Sequence, residues 1–281
     1  MSDGCGVDTA RSESTADGPA TGPFLLAASL SGQADATWAH TAAPFVDGAL
    51  LGGIALDAAT RTAAADLVSR GRDEFLPEDP IAWIDDQLRA VAGAPLRPGV
   101  NVRSTTPARI REAAAVCARH DAVCEINAHC RQPELRAAGC GETLLTDPAQ
   151  LASLVAAATD TGVTTSVKVR AAVPGVNLAA VADRVADAGA DWLHVDTMDS
   201  EPVVATIDAE GLRVVANNGV RGRQTVAEYA RYGADAVSVG RPSTDPVVLS
   251  RVATAVADWR AGRLDERRVD RRDRPDRSEV P

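Results

Sequence analysis

The residues in this chain that could do chemistry are few, and they cluster where apolar runs stop. Val123-Cys124-Glu125-Ile126 reads as a short buried strand ending at Asn127, and Cys130 follows three residues later on a glycine-punctuated loop. A thiol in that place, near a cationic group, can give or take a proton close to neutral pH. Cys140 lies on the same loop as a weaker rival, while Cys117 and Cys124, on a helix and inside a strand, read as small buried residues. Lys168 is the one lysine among 29 basic residues. A compact ammonium on a flexible stem serves where a point charge, a tunable pKa or a Schiff base is needed, and a planar guanidinium does not replace it there. Asn217-Asn218-Gly219 and Gly240-Arg241 close two further runs. Backbone amides beside glycine approach a phosphate closely, so two such turns on neighbouring strands suit a phosphate site.

These residues need elements to position them. Strands are expected at 24–29, 49–55, 99–103, 122–126, 163–170, 191–196, 212–217 and 235–239. Helices are expected near 57–70, 79–93, 107–120, from Asp147-Pro148, at 177–189, after Glu201-Pro202, at 223–232 and from Asp245-Pro246 to Arg260. An Asp or Thr followed by Pro is an N-cap with proline at the first helical position. Eight apolar strands alternating with helices over this length imply one (β/α)8 TIM barrel, an α/β fold. An open doubly wound sheet is the rival, weakened because no G-x-G-x-x-G follows the first strand. The crossing from the second strand to the third, with the helices near 57–70 and 79–93, is long enough to carry a lid or an added helix.

Barrel chemistry sits at the carboxyl ends of the strands. Those ends collect Ala28 and Ser29, Asn101 and Arg103, Asn127, Lys168 and Arg170, Asp196, Asn217 to Gly219, and Gly240 with Arg241. Ser166, Lys168 and Arg170 share one face of their strand. His194 lies deeper than Asp196 and reads as structural. His129 could line a substrate site, although a solvated loop histidine is the commoner case. The histidines show no metal-ligand spacing.

Composition sets the frame. The 281 residues are 45% apolar and 3% aromatic, with a formal charge of −10. An acidic surface that uses Arg over Lys is similar to proteins of salt-loving organisms, and it disfavours a nucleic-acid partner, since phosphate binding needs a basic face. Five cysteines without paired spacing argue against a disulfide framework or a zinc site. No secretory signal and no membrane-length apolar run are visible, which points to a cytoplasmic protein with reduced thiols. The expected division is a disordered arm at 1–22, the barrel at 23–261, and a flexible tail of alternating charge at 262–281.

Several segments match a known family. Glu125 to Cys130, then Gly139-Cys140-Gly141 and Leu144-Leu145, resemble the N-x-G-C-P…G-x-G…L-L segment of dihydrouridine synthases. Val167 to Arg170 resembles their K-x-R strand, Ala216 to Gly219 their N-G phosphate turn, and Gly233 to Arg241 their G-A-D-x-V-x-x-G-R. The resemblance spans residues 24–260 in the right order, and dihydroorotate dehydrogenases share much of the plan. It implies FMN across the barrel mouth, with its phosphate on the last two strand loops and Lys168 beside the flavin's pyrimidine edge. Asn101 and Asn127 would hydrogen-bond the ring, and Ala28, Ser29 and Asp196 would lie against the cofactor. Cys130 would exchange a proton with a pyrimidine carbon. The implied reaction reduces or oxidises the C5–C6 bond of a uracil-like ring, in tRNA or free, with a nicotinamide or other electron donor.

The chain departs from the family pattern at three places. His129 and Arg131 replace the glycine and proline around the cysteine. Val195-Asp196-Thr197-Met198-Asp199 stands where the family has His-x-Arg. The family's helical tRNA-gripping domain is not expected after this barrel. Other readings of the same residues are a dihydroorotate dehydrogenase-like flavoenzyme, a non-redox phosphate-binding barrel using Lys168, and a nucleotide-binding barrel without catalysis.

Overall fold

Parallel strands this short and apolar must be covered on both faces, and the computed structural model, which describes residues 24–264, covers them as a closed barrel. The strands are β1 (Phe24–Ala27), β2 (Gly48–Ala55), β3 (Arg97–Arg103), β4 (Val123–Ala128), β5 (Thr165–Arg170), β6 (Trp192–Asp196), β7 (Arg213–Asn217) and β8 (Ala236–Val239). Each pairs in parallel with the next in sequence, and β8 closes on β1. The helices are α1 (Ala36–Ala42), α2 (Ala58–Ser69), α3 (Pro80–Ala90), α4 (Pro107–Arg119), α5 (Pro133–Ala137), α6 (Pro148–Thr159), α7 (Leu178–Asp187), α8 (Arg223–Arg231) and α9 (Pro246–Arg260). The expected arm, 1–22, and residues 265–281 of the expected tail lie outside the described residues. None of the helices among the described residues is long and apolar enough to cross a membrane.

The caps explain where helices start. The carboxylates of Asp79, Asp147 and Asp245 each accept a first-turn amide of α3, α6 and α9, a contact of about 1 kcal/mol each. Thr106 differs: it precedes α4 but makes no side-chain cap bond. Instead Ser104 Oγ accepts the Thr106 amide at 3.0 Å. Helix α1 was not expected. It is capped by Asp35, which accepts the Trp38 amide at 2.9 Å, and buries Ala36, Trp38, Ala39 and Ala42.

Strand alternation sorts the barrel interior by depth. Phe24, Leu26, Leu50, Val123, Trp192, Val215 and Ala236 form an apolar cluster near the strand starts. Next come polar inward positions, among them Asn101, Glu125, Ser166, His194 and Ser238, all fully buried. Asn127, Lys168, Asp196 and Asn217 follow at the carboxyl ends. Gly53 makes room for this arrangement: a β-carbon there would lie 2.7 Å from Asn101 Oδ1 and 3.2 Å from the Arg103 guanidinium.

Candidate active site

The cysteine loop is held by one amide. Asn127 Oδ1, at the top of β4, accepts the backbone N–H of His129 at 3.2 Å and of Cys130 at 3.0 Å. This is a side-chain turn of the kind Asn favours. The Cys130 carbonyl accepts the Glu142 amide at 2.9 Å. Gly141 lies so close to that carbonyl that a β-carbon would sit 2.2 Å from its oxygen, and its φ of +66° also calls for glycine. Behind the loop, Cys130 and Cys140 pack with Ala63, Leu67 and Leu135.

Beneath Asn127 runs a directed chain of buried hydrogen bonds. Asn127 Nδ2 donates to Asn101 Oδ1 at 2.8 Å, and Asn101 Nδ2 donates to Glu125 Oε1 at 2.7 Å. From the other side, Asn217 Nδ2 donates to Ser238 Oγ at 2.6 Å, and Ser238 Oγ lies 2.7 Å from His194 Nε2. His194 Nδ1 is 2.7 Å from Glu125 Oε2, which also accepts from Ser166 Oγ at 3.0 Å. Every donor finds an acceptor if His194 is neutral with its proton on Nδ1, an assignment made from the network. Burial keeps His194 below its usual value, in agreement with that state. Glu125 is ionised. Burial opposes this, but His194, the Lys168 charge and the Asn101 hydrogen bond hold the carboxyl down to about 2. One buried carboxylate thus ties the cysteine strand to the turn after β7.

Lys168 projects from β5 next to Asn127 and is 5% exposed. Its ammonium makes no hydrogen bond or ion pair among the described residues, although it lines both lobes of the cleft at the strand ends. The lobes measure about 450 and about 390 Å³, within the range of small-molecule sites. Ser29, His129, Cys130 and Arg241 border both. Residues 71–73, from the connection between α2 and α3, border one lobe. That connection is anchored by a fully buried ion pair: Arg103 donates to Glu74 Oε2 at 2.6 Å and also to Ser31. It belongs to the crossing between β2 and β3 whose length suggested a lid or an added helix, and it edges the cleft.

The charges around Cys130 separate it from the other thiols. Burial pushes its pKa up, but the Arg103 guanidinium and His129 pull it down more, to about 6. Cys140 lacks enough compensation, and burial pushes it up to about 12. Cys117 is fully buried and raised, chiefly by its hydrogen bond with Cys124. His129 Nε2 donates to the carboxylate of Asp196. Burial would lower the imidazole's pKa, yet Asp196 and Cys130 raise it overall. Burial likewise opposes ionisation of Asp196, but His129 and Lys168 hold its carboxyl below the usual range.

At the opposite wall, the turns after β7 and β8 present backbone. Among the described residues the amides of Gly219, Val220, Gly240 and Arg241 have no partner. A β-carbon on Gly219 or Gly240 would meet no protein atom within 4 Å, although both glycines line the cleft. The turn is steadied from behind by Tyr229, whose hydroxyl donates to the Asn218 carbonyl at 2.8 Å. Such a row of free amides can take an anion.

The strand-end residues singled out in the sequence border this cleft, with His129 and Cys130, except Ala28, which is buried behind it with its amide on the Val239 carbonyl. Cys140 packs behind the loop, and Ser166 and His194 lie deeper in the barrel. Asn101 and Asn127 do border it, but part of their hydrogen-bonding capacity is used within the protein. Four participants were not anticipated as site residues: Glu125, Ser238, Glu74 and Gln132. A signal for Glu125 existed, a carboxylate at an inward position of an otherwise apolar strand. No group of three or more His, Cys, Asp or Glu among the described residues could hold a metal ion.

Comparison with known proteins was consistent with this geometry. The profile of the family described as dihydrouridine synthase matches residues 96–266, more than half of the chain. An uncharacterized protein of Methanocaldococcus jannaschii is 29% identical over 203 residues, covering 68% of this chain and 78% of its own. The crystal structure of a protein provisionally named as a lyase/mutase of Burkholderia cenocepacia superposes with a TM-score of 0.55 at 17% identity, over 86% of this chain and 85% of that one. At that identity the likeness is one of fold.

Proposed function

The chain belongs to the dihydrouridine synthase family, and from that premise we propose that it is an FMN-dependent oxidoreductase acting on the C5–C6 bond of a uracil-like ring. The observation that carries this reading is Lys168: the one lysine, 5% exposed, with no hydrogen bond or ion pair among the described residues, set between the Cys130 loop and a row of free amides. An unpaired buried ammonium is costly, and it is best explained by a ligand that brings negative charge.

The residues present fit FMN. The free amides at Gly219, Val220, Gly240 and Arg241, with the Arg241 side chain, would take its phosphate. Lys168 would sit against the flavin, and Asn127 retains one amide proton for it. When bound, the flavin supplies hydride chemistry to or from a ring carbon. Around it, Lys168 provides a fixed positive charge where negative charge develops, in a site shielded from water. Cys130 holds or takes the proton at the neighbouring carbon. The Asn127 turn fixes the thiol's place, and Glu125 fixes Asn127 through Asn101.

The guanidinium groups of Arg131, Arg221 and Arg241 stand exposed at the rim without a hydrogen bond or ion pair among the described residues. Against a net charge of −10, this local excess suits a substrate carrying phosphate, a nucleotide or a uridine within RNA. The test begins with the visible spectrum of the purified protein, alone and after adding FMN. A flavin spectrum, followed after anaerobic stoichiometric reduction by reoxidation of that flavin on adding uridine nucleotides or tRNA, is the expected result. Colourless protein that refuses FMN, and is inactivated by borohydride in the presence of a sugar phosphate, would replace this reading with a Schiff-base barrel.

A further inference from the structure

The cysteine of this chain does not stand alone. His129, its neighbour in sequence, is turned across the mouth of the barrel to hydrogen-bond Asp196 at the end of β6. The turn that does this is fixed by Asn127 Oδ1, which holds the amides of both His129 and Cys130. His129 and Asp196 border the same lobe as the thiol. The imidazole and the thiol, chain neighbours that line the same lobe, each shift the other's proton affinity. A thiol, an imidazole and a carboxylate in this order form the pattern in which a base is oriented by a third group.

We propose that His129, oriented by Asp196, is the group through which Cys130 exchanges protons with solvent, so that the three residues work as a relay. The role of the relay in turnover rests on the oxidoreductase reading above. In the direction that adds a proton to carbon, the Cys130 S–H bond breaks as the C–H bond forms, and a thiolate remains. The accepting carbon would carry the electron pair left by hydride addition at its neighbour, a hydride that a bound reduced flavin would supply. The imidazolium N–H then returns a proton to sulfur, and the neutral imidazole regains one from water at the rim. Asp196 stays ionised throughout. The reverse direction runs the same proton path backwards.

Other charges face this pair from every side. Arg103 on β3 favours the thiolate, and Glu74, from the connection after α2, opposes it. Lys168 on β5 disfavours the imidazolium, and Asp196 on β6 favours it. Cys140 lies in the same packed cluster and stays protonated at neutral pH. His194 on β6 is neutral beneath them. The local balance therefore depends on the Asp196 contact to keep His129 charged.

The test is the pH dependence of Cys130 alkylation by iodoacetamide in the full-length chain, in a Cys5→Ser background. Cys117, Cys124 and Cys140 are fully buried away from the cleft, whereas Cys130, 8% exposed, borders it. The parent should show a midpoint near 6. His129→Gln and Asp196→Asn should each move it up by about one pH unit or more, since an adjacent opposite charge shifts a pKa by that order. An unchanged midpoint in both variants overturns the relay. Should either variant misfold, the His129 imidazole can be titrated by nitrogen NMR in the parent and in Cys130→Ser. A titration that is altered by loss of the thiol supports the coupling, and identical curves overturn it. These readouts need no flavin, so their failure is distinct from failure to bind FMN, which would overturn the oxidoreductase reading alone.

Discussion

At the scale of single residues, Lys168 and Cys130 are defined by what surrounds them. Lys168 has no counter-charge in contact among the described residues, so its removal should cost the fold little. Lys168→Met is expected to leave the thermal midpoint within about a few degrees of the parent, because the ammonium makes no hydrogen bond or ion pair and its desolvation cost offsets the longer-range attraction it gives Glu125 and Asp196. The same variant should slow reduction of bound flavin by about 100-fold, the usual scale for loss of one preorganised electrostatic group. Lys168→Arg should not restore it, since a planar guanidinium does not place a point charge in that 5%-exposed position. Anaerobic rapid mixing with a reduced nicotinamide, beside thermal unfolding, checks both halves. Equal reduction rates would remove Lys168 from the chemistry. Its uniqueness made it visible in the sequence. The state of Cys130 was not visible, because it depends on Arg103, 27 residues away in sequence, and on the direction in which His129 turns.

At the scale of elements, the strand ends were legible because parallel strands must be apolar and must stop where polar side chains can meet water. The Asp-Pro pairs marked three helix starts for the same local reason. What was missed depends on contacts distant in sequence. Helix α1 has only seven residues and relies on burial of Trp38. The Glu125–His194 link joins strands whose register is set by closure of the barrel. The cover over the cleft depends on Glu74 reaching Arg103, a pair with both side chains almost fully buried. Removing one partner of such a pair leaves an uncompensated charge. Glu74→Gln should therefore lower unfolding free energy by about 3–5 kcal/mol in denaturant titration. A Glu74→Leu, Arg103→Met double variant should recover much of that loss. Because Glu74 opposes the thiolate, Glu74→Gln should also move the Cys130 alkylation midpoint down. An upward shift would mean that the cover acts on the thiol through its position and not through its charge.

At the scale of the whole molecule, acid should act in two opposed ways. The chain carries a net charge of −10, and its pI is about 4.9. Lowering pH from 7 toward that value relieves self-repulsion and should hold stability level or raise it slightly. Asp57, Glu125 and Asp196 then reverse the trend. Burial opposes ionisation of each, but hydrogen bonds, joined at Glu125 and Asp196 by nearby positive groups, hold all three below their ordinary values. A carboxyl whose folded-state pKa lies below its unfolded one binds fewer protons when native. Its stabilisation is complete above the unfolded value, near 4, and is lost as pH falls through the folded one. For Glu125 that loss extends down to about 2. Chemical unfolding measured from pH 7 to pH 2 should thus show a plateau followed by a steep fall. Glu125→Gln should lower the plateau, since its neighbours lose a buried acceptor, and should flatten the fall. Added salt should raise the plateau by screening surface repulsion, while the part of the acid limb due to Glu125 should persist, because that carboxylate is out of reach of mobile ions. A variant that loses stability equally at every pH would show that Glu125 holds Asn101 and His194 by shape alone, without the charge that the network is directed toward.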